Sequence, residues 1–302
     1  MDVLTDVLST LQLTGSLYFR TELAAPWGMR FAPPMPAMFH VVAEGTGWLT
    51  MDDEATSRPL QAGEVVLLPH GDGHALSDDP ASPLVAIPID ATPRRACQVL
   101  RYGEQPAALL LCGTFHFGHP RSHPLLALLP PVIHLPGAAS AELAATLTAI
   151  GTESGVPRPG AETILRRLAD VLFVQIIRAW IEGQPPAWAA GGWLGALRDP
   201  QIGAALGAMH RQPAHPWTVA ELAQVAALSR TSFATRFAAL VGAPPAQYLT
   251  RWRMHLATLA LRQEPIGLLE VAHRVGYDSE AALSKAFKRE FGMPPGTYRR
   301  LA

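Results

Sequence analysis

At 302 residues, with 49% hydrophobic and 16% charged residues, the chain has room for two packed domains and is not a disordered or fibrous sequence. Its two cysteines, Cys97 and Cys112, exclude a disulfide framework and a zinc cluster built from four thiolates. Formal net charge is −1, but residues 213–302 hold eleven Lys or Arg against six Asp or Glu and the remainder thirteen against nineteen, so a basic segment follows an acidic one.

Residues 1–15 carry Asp2 and Asp6 among apolar residues and lack the basic start and apolar run of a secretory signal. The richest apolar stretch, 124–136, is short and interrupted by Pro130 and Pro131, so a cytoplasmic protein without membrane association is expected. From 17 to about 136 the chain reads as β-rich, with short apolar segments at 38–42, 47–51, 64–68, 84–89 and 108–111 between Pro, Gly and Asp clusters. That spacing predicts a small barrel or sandwich. Helical character begins over 140–150, and a longer helix is predicted over 161–182, after the breaker-rich 151–160. Its segment from Val171 to Ile181 is apolar nearly all round, so it should bury two faces, one of them against a second subunit. Residues 184–195, rich in Pro, Gly and Trp, read as the interdomain connection, and Asp199 before Pro200 is an N-cap and N1 pair for a helix to about Met209.

The tail contains an internal duplication. Ser229, Phe233, Phe237, Gly242, Pro245 and Tyr248 recur fifty residues on as Ser279, Leu283, Phe287, Gly292, Pro295 and Tyr298. Upstream, with one residue allowed for, 225–228 match 274–277. A short helix, a tight turn and a second helix are thus written twice, at about 218–241 and 267–291, with a linking helix over about 245–262. Thr218 and Glu221 form a capping box opening the first unit, and Ser229 caps the helix after the turn. Two such units held rigidly can place two helices in successive major grooves. Both lysines of the chain, Lys285 and Lys288, lie in the second unit.

With these motifs, above all 271–279 and 287–292 with Pro295 and Tyr298, residues 213–302 resemble the AraC/XylS family of transcription regulators. The resemblance implies that the second helix of each unit reads DNA. The side chains opposite the packed phenylalanines are then Arg230, Thr231, Ala234 and Thr235 in the first, and Glu280, Ala281, Ser284 and Lys285 in the second. Lys285 is the best candidate for a guanine contact. Arg236, Lys288, Arg289, Arg299 and Arg300 are better suited to phosphates, which fix register without reading sequence. Leu283 stands where many family members carry an aromatic residue, and the first reader is Ala-rich.

Gly63, Pro69, Gly71 and His74 fit the spacing G-x5-P-x-G-x2-H, which resembles the second motif of cupins, with the histidine directed into the barrel. Counting back from Gly45, the positions of the first motif's metal ligands hold Ala32, Pro34 and Met38. A lone imidazole does not hold a catalytic metal, so neither a metal nor another cofactor is expected, and no enzymatic activity. His116, His119 and His123 lie further on, and the segment from Leu111 to Phe117 with 123–126 resembles the cupin-type sensor domain of one AraC-family branch. His40, His74, Trp48 and His116 are the expected effector-pocket residues.

The expected architecture is α+β: a cupin-like β-barrel with a helical extension over 1–185 for effector binding and dimerisation, and an all-α DNA-binding domain over 186–302. The expected function is a sequence-specific regulator, an activator by family habit, controlled by a small-molecule effector. Its partners would be double-stranded DNA, RNA polymerase and a second copy of the chain. The alternatives are a redox-responsive regulator using Cys97 and Cys112, and a cupin enzyme fused to a DNA-binding domain.

Overall fold

The N-terminal strands differ in how many faces they bury, and this sets their places. The computed structural model describes residues 13–54, 56–88, 98–117, 129–136, 140–156, 158–183, 199–263 and 265–301, with 5, 8, 11, 126 and 195–196. It forms two compact units, one from Gln12–Gly118 and Leu129–Gly183, the other including Gln184–Ala302. In the first unit, β3 (Ala37–Glu44), β6 (Val65–Leu68) and β10 (Ala108–His116) are buried on both faces, as near-continuous apolar runs require. They join β1 (Thr14–Leu23), β9 (Gln98–Tyr102) and β11 (Ile133–Leu135) in a six-stranded sheet ordered β11-β6-β3-β10-β1-β9. By contrast β4 (Thr46–Met51) alternates, burying Leu49 and Met51 while Trp48 and Thr50 stay half-exposed on the other face. It belongs to a five-stranded sheet ordered β5-β4-β7-β2-β8, with β2 (Gly28–Phe31), β5 (Arg58–Gln61), β7 (His74–Ser77) and β8 (Val85–Ala86).

The expected barrel is not formed. Among the described residues every strand pairs within its own sheet, so the architecture is two mixed sheets with their inner faces packed together. The physical reason lies at the edges: β8 has 2 residues, β11 has 3, β5 has 4 and β9 has 5, too short to run on and close a sheared barrel. The space between the sheets is filled by Trp27, Met29, Phe31, Leu49, Leu76, Leu110 and their neighbours.

Behind the larger sheet lie α1 (Ala141–Gly155) and α2 (Ala161–Gly183). Helix α1 runs past the expected end at 150 and through Gly151, closing only at Val156. Phe173 of α2 meets Phe115 at 5.0 Å between ring centroids, and Gly15 N donates to Asp170 Oδ1 at 2.7 Å. A Cβ on Gly15 would stand 2.6 Å from that of Ala169, so glycine permits this close approach of strand and helix.

The second unit is helical: α3 (Pro200–Arg211), α4 (Val219–Val225), α5 (Arg230–Val241), α6 (Pro245–Gln263), α7 (Leu268–Arg274), α8 (Glu280–Phe291) and α9 (Pro295–Leu301). Local signals set these bounds. Asp199 accepts from Gln201 N and Ile202 N, and Thr218 and Glu221 close the capping box. Ser229 and Ser279 cap α5 and α8, and both end on a left-handed glycine, Gly242 and Gly292.

Candidate DNA-reading surface and sensor core

Helices α4 and α5 form one helix-turn-helix, α7 and α8 a second, and α6 is the rod between them. In α5, Phe233, Phe237, Leu240 and Val241 are buried; in α8, Leu283, Ala286 and Phe287. Leu283 is fully buried against Val271, Val275 and Met254, so the smaller side chain in place of an aromatic leaves that core intact. The opposite faces are open: Arg230, Thr231 and Thr235 on α5, and Glu280, Ala281, Lys285, Lys288 and Arg289 on α8, are exposed, with Ala234 and Ser284 half-buried.

The cations expected at phosphates divide into two groups. Arg236 is engaged within the unit, pairing with the Asp199 carboxylate and donating to Gln201 Oε1 at 2.8 Å. Arg299 donates to the carbonyl of Ile266 at 2.8 Å, and Arg300 reaches Thr297 Oγ1 at 3.3 Å. Lys288 and Arg289 project from the exposed face of α8, as does Lys285, the candidate for a guanine contact. Sequence reasoning did not find the partner of Arg236, yet the repeat held the signal, because the equivalent residue in α8 is the buried Ala286. Arg253 was also missed. It ties the turns together by donating to the carbonyls of Pro213 (2.7 Å), His215 (2.8 Å) and Gly276 (3.3 Å).

In the first unit the cupin-like glycines stand where backbone demands them: Gly63 and Gly71 have φ of 86° and 70°, and a Cβ on Gly71 would collide with the Met35 carbonyl. His40 on β3 and His74 on β7 meet between the sheets, 1% and 0% exposed. A continuous chain of hydrogen bonds runs through them. Because the Asp72 carbonyl can only accept, His74 Nδ1 donates to it at 2.9 Å, which leaves His74 Nε2 to accept from His40 Nε2 at 2.9 Å. The Cys112 thiol then donates to His40 Nδ1 at 3.1 Å. Phe31 stacks on His74 at 4.7 Å. Burial holds His40 well below the ordinary imidazole value, with the His74 charge adding to the effect, and burial also lowers His74. Burial pushes the Cys112 thiol up to about 12, the opposite of a reactive thiolate. His116 lies at the end of β10, half-buried and 3.1 Å from Thr114 Oγ1, and Trp48 faces away from the inner core. Cys97, His119 and His123 lie outside the described residues. Among the described residues no group of three or more His, Cys, Asp or Glu is placed to hold a metal ion.

A duplicated helix-turn-helix and a two-sheet domain carried on one chain define a class, the one-chain transcription regulators. Residues 2–182 match the family described as Cupin, and residues 222–301 that described as Helix-turn-helix domain. An AraC-like transcription regulator of Streptomyces lividans is 40% identical over 308 residues, spanning 99% of this chain and 98% of the relative. One from Streptomyces antibioticus is 39% identical, with 99% of each chain covered. The HTH-type transcriptional regulator AlkR of Acinetobacter baylyi is 30% identical, again over 99% of each. Among solved structures, the DNA-binding domain of AdpA with its target DNA is similar at 32% identity and a TM-score of 0.33, over 34% of this chain and 92% of that one. The chain belongs to the AraC/XylS family: it is a sequence-specific DNA-binding transcription regulator with an N-terminal cupin-type sensor domain. Among the described residues no helix is long and apolar enough to cross a membrane.

Proposed function

We propose that this regulator is a cytoplasmic transcription activator that works as a homodimer, responds to a small molecule bound by its N-terminal unit, and contacts RNA polymerase from its promoter site. The observation that carries the DNA half is the asymmetry of the two readers. The open face of α5 presents Thr231, Ala234 and Thr235 with Arg230 at its start, whereas that of α8 presents Ala281, Ser284, Lys285 and Lys288, with Arg289 beside them. Small hydroxyls and methyls give modest readout in one groove, and the lysines supply charge and a guanine contact in the next. Arg236 and Arg299 reach phosphate only by giving up their internal partners.

The test uses an operator selected from random duplexes and titrated across salt concentrations. Lys288→Ala and Arg289→Ala should each weaken binding to all sequences and flatten the salt slope by about one unit, as loss of one phosphate contact requires. Lys285→Ala should cost about 1–3 kcal/mol at a single base position. Arg236→Ala should leave the slope alone. Unchanged slopes for Lys288 and Arg289, with a lowered one for Arg236, would move the reading face off α8.

For the sensor half, His40, His74 and His116 are the residues that an effector entering between the sheets would meet. His40 and His74 are saturated with hydrogen-bond partners, so a ligand there must displace core side chains. An effector acts only by binding two states of the protein with different affinity. A thermal-shift screen on the full chain, followed by operator titration with each hit, tests for one.

A further inference from the structure

Helix α1 carries Gly151 in its interior, where glycine costs about 1 kcal/mol relative to alanine. Nothing around it demands glycine, because an added Cβ would meet no atom within 4 Å. Gly151 also lines a cleft of about 500 Å³ between α1 and the outer face of the larger sheet, within the size range of small-molecule sites. Its floor is Val41, Leu109 and Leu111, and Leu147 and Gly151 line the helix side. At one end stands Arg20, its side chain 19% exposed, donating from Nη1 to the Gly151 carbonyl at 3.1 Å.

Among the described residues, charge at that end is not balanced. Glu22 is held by Arg101 at 2.7 Å and lies 3.7 Å from Arg20, so two guanidinium groups share one carboxylate. Glu44, the other charged residue of the lining, pairs across the ladder with Leu109 rather than with Leu111, the partner of Arg20. The acid and the base are thus set apart on the sheet, and the cleft has a cationic end, an apolar floor and an acidic rim.

We propose that this cleft, outside the inter-sheet core, binds a small and largely apolar molecule carrying one carboxylate, seated with its head on Arg20 and its body on Val41, Leu109 and Leu111. The proposal deepens the sensor reading and rests on it only for the consequence at DNA. The partly buried guanidinium and the absent side chain at position 151 together account for what the packing of α1 does not.

The test is calorimetric titration of the full chain with naphthalene-2-carboxylate, and with naphthalene-2-methanol as the uncharged analogue. Wild type should bind the carboxylate saturably, one per chain. Arg20→Gln should weaken the carboxylate at least tenfold and leave the alcohol within twofold. Gly151→Phe, which fills the cleft, should remove binding of both, while Gly151→Ala raises the melting temperature. If Gly151→Phe does not fold, the Arg20→Gln comparison decides alone. Carboxylate affinity unchanged in Arg20→Gln and Gly151→Phe, or no saturable binding to wild type, would overturn the site. Binding that follows the variants but leaves operator affinity unmoved would uphold the site and count against the sensor reading instead.

Discussion

Ala227 and Gly276 occupy the same place in the two helix-turn-helix turns, and both have positive φ, 50° and 80°. Alanine there carries a strain that glycine does not, so Ala227→Gly should raise the unfolding free energy of the reading unit by about 0.5–1 kcal/mol after glycine's own entropy cost. The converse change is worse than its mirror image. A Cβ on Gly276 would stand 2.8 Å from the Ala214 carbonyl oxygen and from Nη2 of Arg253, the side chain that gathers three loop carbonyls. Gly276→Ala should therefore cost about 2 kcal/mol or more. Urea midpoints of the two variants check both signs, and equal shifts would mean that the turns are not equivalent. The repeat made the pairing of these positions readable before any coordinates. What it did not disclose was Arg253, because its partners are carbonyls, which have no signature in a sequence.

At the scale of elements, α2 presents a stripe that its own unit does not cover. Ile164 and Val171 are each 46% exposed, Leu168 and Gln175 are half-buried between them, and Gln175 Oε1 has no hydrogen-bond partner among the described residues. Positions 164, 168, 171 and 175 follow the four-three spacing of a helix seam, which supports pairing of two copies along α2. Val171→Asp should then weaken dimerisation at least tenfold, read as a drop to monomer mass by light scattering at micromolar concentration; an unaffected dimer would place the pairing elsewhere. The all-round apolar character of α2 was legible in the sequence, as were the caps of α3, α4 and α5, because each depends on residues within one or two turns. The barrel was misjudged for the opposite reason. Whether a sheet closes depends on edge pairing between strands far apart in sequence, and β8 and β11 proved too short to supply it. The cleft beside Arg20 was invisible for the same cause, since β1, β3, β10 and α1 each contribute one side.

Across the whole molecule, both units keep neutral histidines in their cores, and this sets how the protein responds to acid. In the reading unit, His210 is 7% exposed, stacks on Trp252 at 4.1 Å between ring centroids and meets Tyr248 Oη at 2.8 Å. Burial lowers it to about 3, with the neighbouring Arg211 charge a smaller contribution. In the sensor unit, burial lowers His40 and His74 as well, and their hydrogen-bond chain has no place for an added proton without breaking a donor-acceptor match. An unfolded histidine takes its proton near pH 6.5, so below that pH the unfolded state binds more protons than the folded one. The stability these residues contribute is present above pH 6.5 and is lost as pH falls; for His210 the loss approaches about 1.4 kcal/mol per pH unit and continues towards pH 3, and for His40 and His74 it runs in the same direction. Melting temperature should thus fall steeply between pH 6.5 and 5, for both units. His210→Gln should be less stable at pH 7.5, where the wild-type imidazole is neutral and packed, yet lose less on acidification, so that the two curves converge. Curves that stay parallel from pH 7.5 to 5 would mean that His210 takes its proton while folded, and that the stack on Trp252 is open to water.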